Sequence, residues 1–175
     1  MGSVIAPRKH GRRGIVASAS VGIVVFLVVY GLGRPSSLLG RPAPVFDLTS
    51  YSGDRLLFKD FSGQVIVVNF WASWCEPCQA EAASLERVWA DFRDQPVVFV
   101  GINCQDTPAS AREFLEHYRI TYPNAPDPYG RLMRAYGVTA LPETFVVGAD
   151  GAVVKRYIGA VNEAELARVI AETLP

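Results

Sequence analysis

The stretch Trp71-Ala72-Ser73-Trp74-Cys75-Glu76-Pro77-Cys78-Gln79-Ala80-Glu81 constrains this chain more than any other. An apolar run, Val65 to Phe70, leads into two cysteines separated by two residues, at the point where a helix pattern begins. Such a continuous β-branched run predicts a central strand covered on both faces. Two sulfurs at a helix start can close a small disulfide ring, and the first gains from unpaired backbone N–H groups and the positive end of the helix dipole. A stapling bridge usually links distant segments, because closing a longer loop removes more unfolded-chain entropy. The pair therefore reads as chemistry: Cys75, solvent-facing at the helix tip, attacks, and Cys78, one turn inward, resolves the mixed disulfide.

The elements after it alternate. Leu85, Val88, Trp89 and Phe92 fall on one helical stripe, and Val97 to Ile102 is a second buried strand, so the two strands and the helix form a βαβ crossover. A second helix is expected from about Pro108 to Tyr118, with Thr107-Pro108 as N-cap and first position. A short helical segment follows Asp127-Pro128-Tyr129-Gly130. Thr144 to Val147 and Val153 to Ile158 flank Gly148-Ala149-Asp150-Gly151, a hairpin signal, and Leu166, Val169, Ile170 and Leu174 stripe a terminal helix. Upstream, Phe46-Asp47-Leu48 and Leu56-Leu57-Phe58 around Ser52-Gly53-Asp54 predict an additional N-terminal β-hairpin. The expected fold class is α/β, a central mixed sheet with helices on both faces. With 175 residues, 50% of them hydrophobic, the chain can bury one sizeable core but not comfortably two.

The W-C-x-x-C sequence after an apolar strand resembles the thioredoxin-fold signature. W-C-E-P-C, with a glutamate three residues after the second cysteine, is similar to the membrane-anchored TlpA/ResA/CcmG (DsbE) thiol-disulfide oxidoreductases, over roughly residues 40–175. The resemblance implies a thioredoxin-like redoxin domain with no cofactor beyond the Cys75/Cys78 disulfide. It places Trp74 on the docking surface beside the sulfur. It assigns Pro142 to the cis proline that faces the C-x-x-C in this fold, and Leu141 to the backbone that pairs with an extended substrate. A neutral Asn69 stands where thioredoxin has a buried aspartate, so Glu81 becomes the base for the resolving thiol. The proline that often kinks the first helix is absent, Ala83 standing there, so a straighter helix is expected. The implied clients are protein thiols and disulfides, including the C-x-x-C-H cysteines of apocytochrome c. The implied electron source is a membrane donor of the CcdA/DsbD type.

The N-terminus concerns location. Residues 14–33 form an uncharged, largely apolar stretch of 20, enough to span the hydrocarbon core as a helix. Arg8, Lys9, Arg12 and Arg13 precede it, which by the positive-inside rule keeps residues 1–13 in the cytoplasm. No small-x-small cleavage site follows, so a single-pass signal-anchor in the cytoplasmic membrane is expected. Residues 34–39 form a tether and residues 40–175 an extracytoplasmic domain. Five of 17 Lys+Arg precede residue 35 and all 17 Asp+Glu follow it, leaving the remainder 12 basic against 17 acidic residues, a net −5. A mildly acidic domain without a basic stripe argues against a nucleic-acid partner.

Two other classes share parts of the pattern. A peroxiredoxin-type peroxidase would carry a proline and a threonine shortly before a lone reactive cysteine, where Ala72-Ser73-Trp74 stands here. A copper-delivery module could use the C-x-x-C, but further Cys or His at ligand spacings are absent. Cys104 ends an apolar strand and reads as a small buried hydrophobe. Finally, Glu76, Glu81 and Glu143 are expected to converge on the pair, disfavouring its thiolate and making the site reducing.

Overall fold

The computed structural model describes residues 1–3 and 38–175. The expected membrane-spanning segment, residues 14–33, lies outside them, as does most of the leader and tether. Among the described residues no helix is long and apolar enough to cross a membrane.

Asp47–Thr49 (β1) and Arg55–Leu57 (β2) pair antiparallel as a separate two-stranded sheet, the expected hairpin, and a 3₁₀ turn follows at Phe58–Phe61. The main sheet is built from Val65–Trp71 (β3), Val97–Cys104 (β4), Asn124–Asp127 (β5), Glu143–Val147 (β6) and Val153–Ile158 (β7), in the order β5-β4-β3-β6-β7. β3, β4 and β5 run parallel, whereas β6 and β7 are antiparallel to their neighbours. Central β3 and β4 are buried at every residue, which is why their sequences are runs rather than alternations. The helices are Glu76–Phe92 (α1), Pro108–His117 (α2), Arg131–Ala135 (α3) and Glu163–Thr173 (α4). Thr107 caps α2 as expected, its hydroxyl accepting the Ser110 N–H at 3.1 Å.

Alternation along the strands separates two cores. Val65, Val67, Val97, Phe99 and Val146 pack against Leu85 and Val88 of α1 and Leu166, Val169 and Ile170 of α4. Ile66, Val68, Phe70, Val100, Ile102 and Phe145 face the other way, onto Leu132 and Tyr136 near α3 and Phe46 and Leu56 near the hairpin. Each fully buried aliphatic side chain contributes about 1.5–3 kcal/mol to holding these layers. A third cluster, Trp71, Ala72, Cys75, Cys78, Ala82, Ala111 and Phe114, closes the end of the sheet where β3 runs into α1.

β5 has no β-rich signal in Asn124-Ala125-Pro126-Asp127, and its proline is tolerated because β5 is an edge strand. It matters to the site end of the fold, since Asn124 Oδ1 accepts the Trp71 indole N–H at 2.8 Å. The bond passes close over Gly101, where a Cβ would overlap Asn124 Oδ1 and lie 3.0 Å from the Trp71 Nε1. Gly101→Ala is accordingly expected to destabilise the domain by about 2–3 kcal/mol, read as a lower denaturant midpoint. A midpoint equal to wild type would show that Trp71 and Asn124 can part at no cost.

Candidate active site

The site stands at the C-terminal end of β3, where the chain turns through Ala72–Trp74 into α1. Cys75 is the N-cap, with extended backbone, and its sulfur accepts the Cys78 N–H at 3.3 Å. That bond spends an otherwise unpaired amide of the first turn on the sulfur. Pro77 sits within the first turn, where its missing N–H costs nothing. Cys75 and Cys78 are joined as a disulfide with Cα atoms 5.2 Å apart.

The approach loop is braced by Asp106, which the sequence did not single out. Its carboxylate accepts Ser73 N at 2.7 Å, Ser73 Oγ at 2.9 Å, Asn103 Nδ2 at 2.9 Å and Thr107 N at 2.8 Å. Burial works to raise the pKa of Asp106, but these bonds outweigh it and hold the group below its ordinary value. From the other side, Gln79 Nε2 donates to Ser73 O at 2.8 Å. Trp74 is 59% exposed, and its indole N–H donates to Gln105 O at 2.9 Å, so the ring stands at the surface one residue before Cys75.

Glu81 is 3% exposed, a buried group rather than a solvated first-turn carboxylate. It lies on the inward stripe of α1, with Cys78, Ala82, Leu85 and Val88. Its Oε1 accepts the Asn69 Nδ2 at 2.9 Å and its Oε2 accepts the Val161 N–H at 2.8 Å. The same Asn69 amide donates to Thr144 Oγ1 at 3.0 Å, joining β3, β6 and α1 in one polar network. Burial pushes the Glu81 carboxyl up to about 7, against the lowering effect of the bonds from Val161 and Asn69. Asn69 thus holds the buried carboxyl group of Glu81 in place. Cys78 and Glu81, three residues apart on one helical face, are neighbours.

Two expectations need correction. Cys75 does not face solvent: it is 4% exposed and Cys78 2%, because the closed ring belongs to a cluster with Trp71, Ala72, Ala82 and Phe114, against which Tyr51 and Leu141 pack. Nor do three carboxylates converge on the pair. Glu76 is exposed to solvent, where its charge is screened. Glu143 is fully buried and neutralised, its Oε2 taken by Arg156 Nε at 2.7 Å and its Oε1 by Thr139 N at 2.8 Å. Glu81 alone remains as a carboxylate buried in line with the cysteines.

The Leu141–Pro142 peptide bond is cis. Pro142 is buried and its carbonyl accepts Gly159 N–H at 2.9 Å, while the Leu141 N–H and C=O make no hydrogen bond among the described residues. α1 runs unbroken through Ala83, as its lack of proline predicts. Cys104 is fully buried, and burial, then the Asp127 charge, pushes its thiol up to about 12, leaving it inert. Among the described residues no group of three or more His, Cys, Asp or Glu is placed to hold a metal ion.

The sequence model of the AhpC/TSA family matches residues 39–156. Thiol-disulfide oxidoreductase ResA of Bacillus subtilis (strain 168) is 30% identical over 149 residues, covering 85% of this chain and 83% of the relative. Among solved structures, a thiol:disulfide interchange protein of the thioredoxin family from Chlorobium tepidum TLS superposes with a TM-score of 0.72 at 27% identity, covering 77% of this chain and 96% of that one. A secreted Mycobacterium tuberculosis disulfide oxidoreductase homologous to E. coli DsbE gives 0.67 at 27% identity, covering 79% and 99%. The mixed sheet with its flanking helices is the thioredoxin fold that these proteins share. The chain therefore belongs to the AhpC/TSA family, and its closed cysteine pair makes it a thiol-disulfide oxidoreductase of the ResA/DsbE type.

Proposed function

We propose that this oxidoreductase is anchored in the cytoplasmic membrane by residues 14–33, carries its domain outside the cytoplasm, and reduces disulfides in protein clients. The observation that carries the reductive direction is Glu81, buried one turn beyond Cys78 with its carboxyl pushed up to about 7. In its charged form it disfavours a neighbouring thiolate and so destabilises the reduced protein, whereas a strong oxidant owes its potential to a stabilised reduced state. Electrons balance in two steps. The Cys75 thiolate attacks a client disulfide, forming a mixed disulfide and releasing one client sulfur as a thiolate. Cys78, its proton passing to Glu81, attacks Cys75, so the second client thiolate leaves and the Cys75–Cys78 bond closes. The client gains two electrons and the enzyme loses two.

The extended client lies along the unbonded Leu141 backbone next to Pro142, and the exposed Trp74 ring beside Cys75 in the chain adds to the docking surface. Clients of the C-x-x-C-H type in apocytochrome c fit the similarity to the ResA and DsbE proteins, and a membrane donor of the CcdA/DsbD type restores the dithiol. Equilibration with glutathione is expected to give a potential nearer thioredoxin's than that of a disulfide-forming oxidase. Fractionation is expected to leave the full-length chain in the membrane, with a reporter fused after Pro175 active outside the cytoplasm. A strongly oxidising potential would sink the reductase assignment, and a soluble chain or a reporter active only inside would sink the anchor. Peroxide consumption, or stoichiometric copper binding, by a purified domain that leaves peptide disulfides untouched would replace the proposal altogether.

A further inference from the structure

Glu143 and Arg156 form an ion pair that touches neither sulfur yet reaches the segment in front of Leu141. Glu143 Oε1 accepts Thr139 N at 2.8 Å, Thr139 Oγ1 at 3.2 Å and Ala140 N at 3.3 Å. Its Oε2 meets Arg156 Nε at 2.7 Å and Nη2 at 2.6 Å, and Arg156 Nη2 also donates to Gly137 O at 3.0 Å. One pair, with the Glu143 side chain fully buried and that of Arg156 18% exposed, therefore holds three of the four residues from 137 to 140. The pair meets because β6 and β7 set Glu143 opposite Ile158 and Phe145 opposite Arg156, putting the two charged residues on one face of the hairpin. The guanidinium also lies 5.3 Å from the Phe145 ring centroid, which keeps it from swinging away.

As a source of stability the arrangement is poor, since apolar residues of similar volume often replace a buried ion pair without loss. What apolar residues could not do is hold the Thr139 and Ala140 amides and the Gly137 carbonyl in place. The residue that follows, Leu141, has no hydrogen bond of its own to fix its backbone among the described residues. We propose that Glu143 and Arg156 are positioning residues for client docking: they fix the backbone at Leu141 so that an extended client polypeptide, pairing there, presents its disulfide to Cys75. This rests on the proposal above that the client lies along Leu141. Chemistry at the sulfurs is untouched by the pair, so its removal should weaken recognition of a polypeptide disulfide far more than reaction with a small one.

The test compares the reduced full-length protein on two probes, a closed C-x-x-C-H peptide disulfide and hydroxyethyl disulfide, which has no backbone to pair. Glu143→Ala leaves the amides and Arg156 unpaired, and is expected to lower the ratio of peptide to small-disulfide rates about tenfold, through KM rather than kcat. Because that variant strands the half-buried Arg156 charge, the double variant Glu143→Leu/Arg156→Leu is measured beside it. It removes both charges, keeps the volume, and is expected to show the same fall in the ratio while melting near wild type. A wild-type ratio in the folded double variant, or equal losses on both probes, would overturn the inference alone. A wild-type protein that reacts with hydroxyethyl disulfide but no faster with the peptide would overturn docking at Leu141 and the inference with it.

Discussion

Cys78→Ala should convert the enzyme into a trap that accumulates covalent complexes with its clients, whereas Cys75→Ala should neither trap nor turn over. Steady-state reduction of a peptide disulfide is expected to fall on the order of a thousandfold or more in both, because each removes a group that must form or break a covalent bond in every cycle. The asymmetry comes from position. Cys75 is the N-cap of α1, its sulfur already accepting the Cys78 N–H, so the positive end of the helix favours the thiolate there first. Cys78 lies inside the first turn on the buried stripe of α1, one turn further in than the N-cap, so it meets the client only through the mixed disulfide on Cys75. Non-reducing electrophoresis after acid quenching reads the result, and complexes in the Cys75→Ala protein would reverse the assignment. Neither substitution should unfold the domain, since a loop this short withdraws little entropy from the unfolded chain.

The second large effect is the pH dependence of Glu81. In the folded, oxidised protein its carboxyl is held at about 7, from an ordinary 4.5, chiefly by burial. Between those values the folded state keeps a proton that the unfolded state has lost. Its contribution to stability is therefore fully present below pH 4.5, declines as pH rises through that window, and is absent above pH 7. A shift of this size corresponds to about 3 kcal/mol lost from acid to neutral pH. Glu81→Gln should flatten that slope, at a constant cost of about 1–3 kcal/mol, because an amide offers one acceptor oxygen to the two donors Asn69 Nδ2 and Val161 N–H and its NH2 must face one of them. Urea unfolding at a series of pH values reads this directly, and a slope kept by the Gln variant would assign it to another group. In the proposed reaction the ionised form is the useful one, because it is the form that can take the Cys78 proton. Resolution of the mixed disulfide should therefore quicken as pH rises through about 7 in wild type. In the Gln variant it should lose that rise and slow by about a hundredfold.

These two expectations differ in how early they could be read. The cysteines, the strand before them and the helix after them are local features: a buried run, a two-residue spacing, and a stripe at Leu85 and Val88 that runs back through Glu81 and Cys78. The hairpin around Gly148–Gly151 and the α4 stripe were equally legible, because turn chemistry and periodicity act within a few residues. β5 was not, since its pairing comes from β4 across some twenty residues and its own composition argues against a strand. Sequence likewise suggested Glu81 as a base, but what surrounds it comes from β3 and from the loop before α4. Until folding brings Asn69 and Val161 to it, a carboxyl destined to be buried with a pKa near 7 and a solvated one are the same letter.

The Glu143 outcome gives the clearest physical reason. Two glutamates near the cysteines in sequence, and a third directly after the proline that the resemblance places opposite them, looked alike and were expected to act alike. The charge that a glutamate presents is decided by its partner, and partners are set by strand register, which depends on contacts distant in sequence. Arg156, thirteen residues further on, reaches Glu143 only because β6 and β7 pair as they do. The sequence by itself determined the redox pair, its helix and most of the sheet, all short-range matters of spacing and burial. Tertiary structure alone decided which carboxylate stays buried beside the sulfurs, which is neutralised to hold a loop, and how far the disulfide is covered, because those depend on groups brought together across the whole chain.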